Sequence, residues 1–147
     1  MFDKTDYWLE LCDDDIPVAR DMLKAKNYLW MGFICHLIAE KSLKAVVASV
    51  TNEAPPKDHR LLKLTELAKI DDDLTSEQID LLGKLQPLQI EARYPSYKER
   101  IAATLTPDYC KELMKDTEDF VCWIKSKLEK SQTTTLTPSD SPTTQSK

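Results

Sequence analysis

Glycine is nearly missing from this 147-residue chain, which holds only Gly32 and Gly83. Tight hairpin turns lean on glycine for positive φ, so a hairpin-built protein is excluded. The abundance of Leu, Ala, Lys, Glu and Asp favours helix instead. A surplus of Lys and Arg is also lacking. The formal net charge of -5 excludes broad electrostatic binding to nucleic acid, which rests on cations displacing counterions, but leaves room for a local basic pocket. Cys12, Cys35, Cys110 and Cys122 form no CxxC pair. Each sits in a helical pattern, so they read as buried, reduced thiols of a cytoplasmic protein. The first ten residues show no basic segment followed by an apolar run, so no secretory signal is expected. The uncharged run between Lys26 and Glu40 is too short to span a bilayer. A single domain of this length can bury a core without metals or disulfides.

The stretch 27–50 is what the chain does have in quantity: apolar residues at helical spacing. Leu29, Trp30, Phe33, Ile34, Leu37, Ile38, Val46 and Val50 spread over most of the circumference, as in a buried central helix. Its polar groups gather on one side. His36, Glu40 and Lys44 follow at i, i+4 and i+8, with Lys41 one step round. Phe33, Leu37 and Val47 share that side, so Glu40 requires a firm partner, because an unpaired buried charge costs on the order of several kcal/mol. Lys44, His36 or an arginine from elsewhere can supply it.

Around this helix the pattern predicts an all-α, up-and-down bundle of four to five helices. The first, capped by Thr5 or Asp6, carries Trp8, Leu11, Cys12, Ile16, Ala19, Met22 and Leu23, with a kink or break at Pro17 and Asp14 or Asp15 ready to cap a second segment. Asn27 is the expected cap of the central helix, and Asp58 that of a third helix bearing Leu61, Leu62, Leu64, Leu67 and Ala68. Asp71, Asp72 and Asp73 read as a solvated loop. Thr75 and Gln78 fit a capping box ahead of Ile79, Leu82, Leu85 and Ile90, with a kink at Pro87. Thr106 and Pro107 open the last helix. The folded unit spans 1–130, and the Ser/Thr-rich tail 131–147 lacks the apolar surface to order itself.

Two constellations suit a ligand. The first is the His36, Glu40, Lys44 stripe. The second is the 93–100 segment, where Arg93, Lys98 and Arg100 accompany Tyr94 and Tyr97 around Pro95. An arginine fork suits phosphate and a tyrosine face stacks on a base. Arg93 is equally suited to pair with a buried carboxylate, Glu40 first among them, which would join both constellations in one cleft. His36 and Glu40 are only two metal ligands where a site needs three or four, so neither a metal nor a cofactor is expected. His59 and Arg60 sit at the start of the third helix, where a histidine is more often exposed than catalytic. A neutral-pH general base would have to be His36 or His59.

Several segments in this order and spacing resemble the HEPN domain family: Tyr7-Trp8-Leu9, Tyr28-Leu29-Trp30, His36 with Ala39-Glu40-Lys41-Ser42-Leu43-Lys44-Ala45, Pro55-Pro56-Lys57 with His59, and Ile90-Glu91-Ala92-Arg93-Tyr94-Pro95-Ser96-Tyr97. The resemblance implies a helical bundle, commonly a homodimer, often paired with a minimal nucleotidyltransferase in a toxin-antitoxin-like module, and a nucleotide-binding role. Many members it resembles are metal-independent ribonucleases using an arginine and a histidine a few residues apart. After Arg93 this chain offers Lys98, Glu99 and Arg100, and no histidine follows. Lysine replaces imidazole poorly where a proton must be gained and lost near neutral pH. The expectation is therefore a non-catalytic protein binding a nucleotide through His36, Glu40, Lys44, Arg93, Tyr94, Tyr97 and Lys98, or docking a nucleotidyltransferase. A ribonuclease using His36 or His59 and a purely structural interaction protein are the alternatives.

Overall fold

The computed structural model describes residues 4–91 and 101–144, with side chains for 4–89 and 101–130. Among them every regular element is helical: α1 Lys4–Lys24, α2 Tyr28–Thr51, α3 Leu61–Leu67, a 3-10 turn Asp71–Asp73, α4 Ser76–Leu85, α5 Leu88–Glu91, a helical stretch at 101–104 and α6 Pro107–Thr144. The expected all-α bundle is present. Helix α2 lies at its centre, packing against α1, α3, α4, α5 and α6. Its Met31, Cys35, Ile38, Leu43 and Val47 join Leu61, Leu64, Leu82, Leu85, Phe120 and Ile124 in one core. Only its ends surface, at Trp30 and Val50.

Glycine scarcity shapes the connections. Helix α1 ends with Lys26 at φ 63, Lys26 N donating to Leu23 O at 3.0 Å and Asn27 N to Met22 O at 2.8 Å. Helix α3 ends the same way, with Lys69 at φ 62, Lys69 N donating to Glu66 O at 3.0 Å and Ile70 N to Thr65 O at 3.0 Å. These are Schellman closures with lysine where glycine is the cheap residue. The one glycine under steric demand is Gly32, where a Cβ would come 2.9 Å from Leu88 Cδ1. Its bareness lets α5 seat against α2.

Several local expectations are corrected. Helix α1 runs through Pro17 without a break, and Asp15, instead of capping a new segment, accepts from Lys41 Nζ at 2.6 Å, while Asp13 accepts from Lys125 Nζ at 2.7 Å. Asn27 occupies the cap position of α2 with no side-chain cap bond. At Pro87 the chain leaves the helix and restarts as α5, so the kink is a break. Asp71–Asp73 forms a turn of 3-10 helix. The Thr75–Gln78 box is present with both bonds, and Thr106 Oγ1 accepts from Tyr109 N at 3.3 Å. Ile79 is exposed, since Leu81, Leu82 and Leu85 form the buried face of α4 and Ile79 lies about 110° round from its centre. Leu62 is exposed as well. Three cysteines are buried as expected, but Cys122 is exposed, being on the outer side of α6. Burial pushes the Cys12 and Cys35 thiols up to about 12. The last core side chain is Leu128, and the 131–147 tail lies beyond the described side chains. No helix of the described residues is long and apolar enough to cross a membrane.

Candidate functional site

Each step of four residues on a helix turns about 400°, so residues at i, i+4 and i+8 stay on one face. That places His36, Glu40 and Lys44 together on α2, and packing then buries all three: His36 is 0% exposed, Glu40 5% and Lys44 5%. Glu40 is their hub. Its Oε2 accepts from Lys44 Nζ at 2.8 Å, and His59 Nδ1 lies 2.9 Å from the same oxygen. Lys44 Nζ also sits 5.4 Å from the Trp8 ring centroid, so this buried ammonium is compensated by a carboxylate and by a π face.

His59 arrives on the 52–60 connection, which is locked from three sides. Asp58 Oδ1 accepts from the backbone N of Arg60 at 3.0 Å and from its Nε at 3.1 Å. Arg60's donors thus hold the Asp58 carboxyl well below the usual range. Asp58 therefore does not cap α3. The first N–H of that helix, on Leu61, is taken by Gln86 Oε1 at 2.6 Å, while Gln86 Nε2 donates to His59 O at 3.1 Å. His36 Nε2 lies 3.2 Å from the same carbonyl.

These partners set the proton positions. A carbonyl only accepts, so His36 Nε2 carries hydrogen; burial, the largest influence, pushes its pKa down to about 4. The neutral ring therefore turns a bare Nδ1 toward Glu40 Oε1, 3.6 Å away, and both atoms are buried without a hydrogen-bond partner. His59, facing a carboxylate, carries its hydrogen on Nδ1. Its side chain is 54% exposed, leaving the Nε2 edge of the ring toward the surface. Its chain neighbour Arg60 and its backbone partner Gln86 line an open groove of ≈ 380 Å³ between α3 and α4, together with Leu62, Lys63, Glu66, Leu82 and Gly83.

Of the site residues expected from the sequence, the structure thus brings His36, Glu40 and Lys44 together. Arg93, Tyr94, Tyr97 and Lys98 lie outside the described residues, as does the proposed Arg93–Glu40 pair. Among the described residues Glu40's partners are Lys44 and His59. Trp8 and Gln86 were not singled out as site residues. Gln86 carries no local signal, because its partners lie 25 and 27 positions away. No group of three or more His, Cys, Asp or Glu suited to a metal occurs among the described residues.

The family model of the HEPN domain matches residues 5–128. The crystal structure of TT1696 from Thermus thermophilus is similar in fold, with a TM-score of 0.71 at 20% identity, covering 86% of this chain and 99% of that one. No curated protein matches in sequence.

Proposed function

We propose that this chain, which belongs to the HEPN domain family, is a non-catalytic binding module that takes a nucleotide at the outward edge of His59. The observation that carries the reading is the 2.9 Å contact from His59 Nδ1 to buried Glu40. A half-exposed imidazole fixed from behind presents one ring nitrogen in a defined direction, and its chain neighbour Arg60 and backbone partner Gln86 line a groove whose ≈ 380 Å³ falls in the range of about 300–1,000 Å³ typical of small-molecule sites. Lys44, itself over the Trp8 ring, holds Glu40 in place, and Gln86 holds the His59 backbone. Family membership extends the reading to a homodimer that partners a minimal nucleotidyltransferase.

The same contact favours a second reading, a metal-independent ribonuclease, because a carboxylate behind an imidazole is how a general base is oriented. His36 is unsuited to that role: it is fully buried, and its Nε2 is spent on a carbonyl. One pair of proteins tests both readings. Calorimetric titration with ATP, GTP and AMP should give heat that is lost in His59→Ala; no heat from any of them at millimolar concentration sinks nucleotide binding. Incubating both proteins with single-stranded RNA in a chelator should leave the RNA intact. Cleavage by the parent that His59→Ala abolishes replaces the binding module with the ribonuclease.

A further inference from the structure

Twelve residues before Glu40 on α2, or about 18 Å along a helix of 1.5 Å rise, the other end of the bundle carries a larger groove of ≈ 850 Å³. Its floor is apolar, from Leu23, Tyr28 and Pro107, and its cations are Arg20, Lys24, Lys26 and Lys111. Among the described residues no acidic side chain lines it, in a chain whose net charge is -5. Arg20 is already engaged by Glu118 through both its Nε and its terminal nitrogen. Lys24, Lys26 and Lys111 make no ion pair among the described residues and are all exposed. Lys26 holds the left-handed conformation at φ 63, in which a β-carbon is costly and glycine is free. Keeping a lysine there places an ammonium at the lip of the groove at the expense of backbone strain.

We propose that this groove docks an acidic segment of a partner protein, with an apolar side chain of that segment seated on Leu23, Tyr28 and Pro107 and its carboxylates on the three lysines. Charge complementarity points to this occupant. Like charges gathered on one rim repel until an opposite charge arrives, and among the described lining residues no carboxylate competes with a negative segment for the three lysines. The floor decides between kinds of anion. Phosphate sites gather planar guanidinium forks or nests of backbone N–H groups, but here the guanidinium is spent on Glu118 and what remains is point charges around an apolar patch. An apolar centre with a charged rim is the anatomy of a protein interface.

The test is anisotropy titration of the full chain with a short fluorescein-labelled peptide of Glu and Leu. It is run beside the same peptide with Gln for Glu, the same with Ser for Leu, and inorganic tripolyphosphate as competitor. The expected result is binding that weakens as salt is raised, falls roughly tenfold or more in the Lys24→Glu, Lys111→Glu double variant, and is lost in both altered peptides. A double variant of equal charge change elsewhere, Lys115→Glu with Lys130→Glu, should bind much as the parent does, and circular dichroism confirms that both variants fold. Equal losses in the two double variants, equal binding of the Gln peptide, or no binding of the Glu-Leu peptide overturns the proposal. Tripolyphosphate binding lost with Lys24 and Lys111, while the peptide fails to bind, makes the groove a phosphate site instead.

Discussion

His36 spends its one hydrogen on the His59 carbonyl and lies fully buried, so protonating it would place a second cation inside a cluster that already holds Lys44. Burial lowers its pKa from 6.5 to about 4. The sign follows: between these values the unfolded chain binds a proton that the folded chain refuses, so stability is fully present above 6.5 and is lost as pH falls toward 4. The loss is on the order of 3 kcal/mol from this group. Asp58, depressed by Arg60, gives up its contribution only below its ordinary 3.8, outside that window. Denaturant unfolding of the parent from pH 7 to pH 4 should therefore fall more steeply than that of His36→Gln, which keeps a donor for the carbonyl but does not titrate. Parallel slopes would show that His36 is not the group responsible. None of this was legible from the stripe alone. Spacing put His36, Glu40 and Lys44 on one face, but which oxygen met which nitrogen depended on the direction in which the 52–60 connection returned.

Helices α1 and α3 both close on a left-handed lysine, Lys26 and Lys69. An L-residue pays about 1–2 kcal/mol for that conformation, and a glycine gives back part of the saving as entropy of the unfolded chain. Lys69→Gly should thus stabilise the protein by roughly 0.5–1 kcal/mol, read as a higher thermal midpoint. The same change at Lys26 should help stability similarly while removing one ammonium from the basic groove, so the two variants part in peptide binding but not in melting. A lower midpoint for both would mean that the lysine side chains stabilise their turns more than the backbone costs. At this scale the sequence was readable wherever the signal is short-range. The Thr75–Gln78 box spans three residues and both bonds are present; Thr106 and Pro107 likewise open α6. It was unreadable where a partner lies far along the chain, as for Gln86 on Leu61, or on a neighbouring helix, as for Asp15, which pairs with Lys41 in an α1 that continues through Pro17.

One helix organises the whole molecule, and that much was plain from an apolar pattern spread round most of 27–50. Since α2 touches α1, α3, α4, α5 and α6, no other helix has a core that survives its loss, and the bundle should come apart as a unit. Leu43 is 0% exposed near the middle of α2. Leu43→Ala should cost about 2–5 kcal/mol through lost transfer energy and a cavity that rigid neighbours fill only in part. Cooperativity is the sharper readout. Trp8 stands on α1 and Trp123 on α6, both packed against the core, so variants that each retain one of them as the sole tryptophan report two different neighbours of the same helix. With Leu43→Ala in either background, tryptophan fluorescence and far-ultraviolet dichroism should share one lowered transition. If the Trp123 signal kept its original midpoint while the Trp8 signal fell, α6 would have a core of its own. The bundle would then be two units joined along α2, and the buried Glu40 cluster would belong only to the one that contains Trp8.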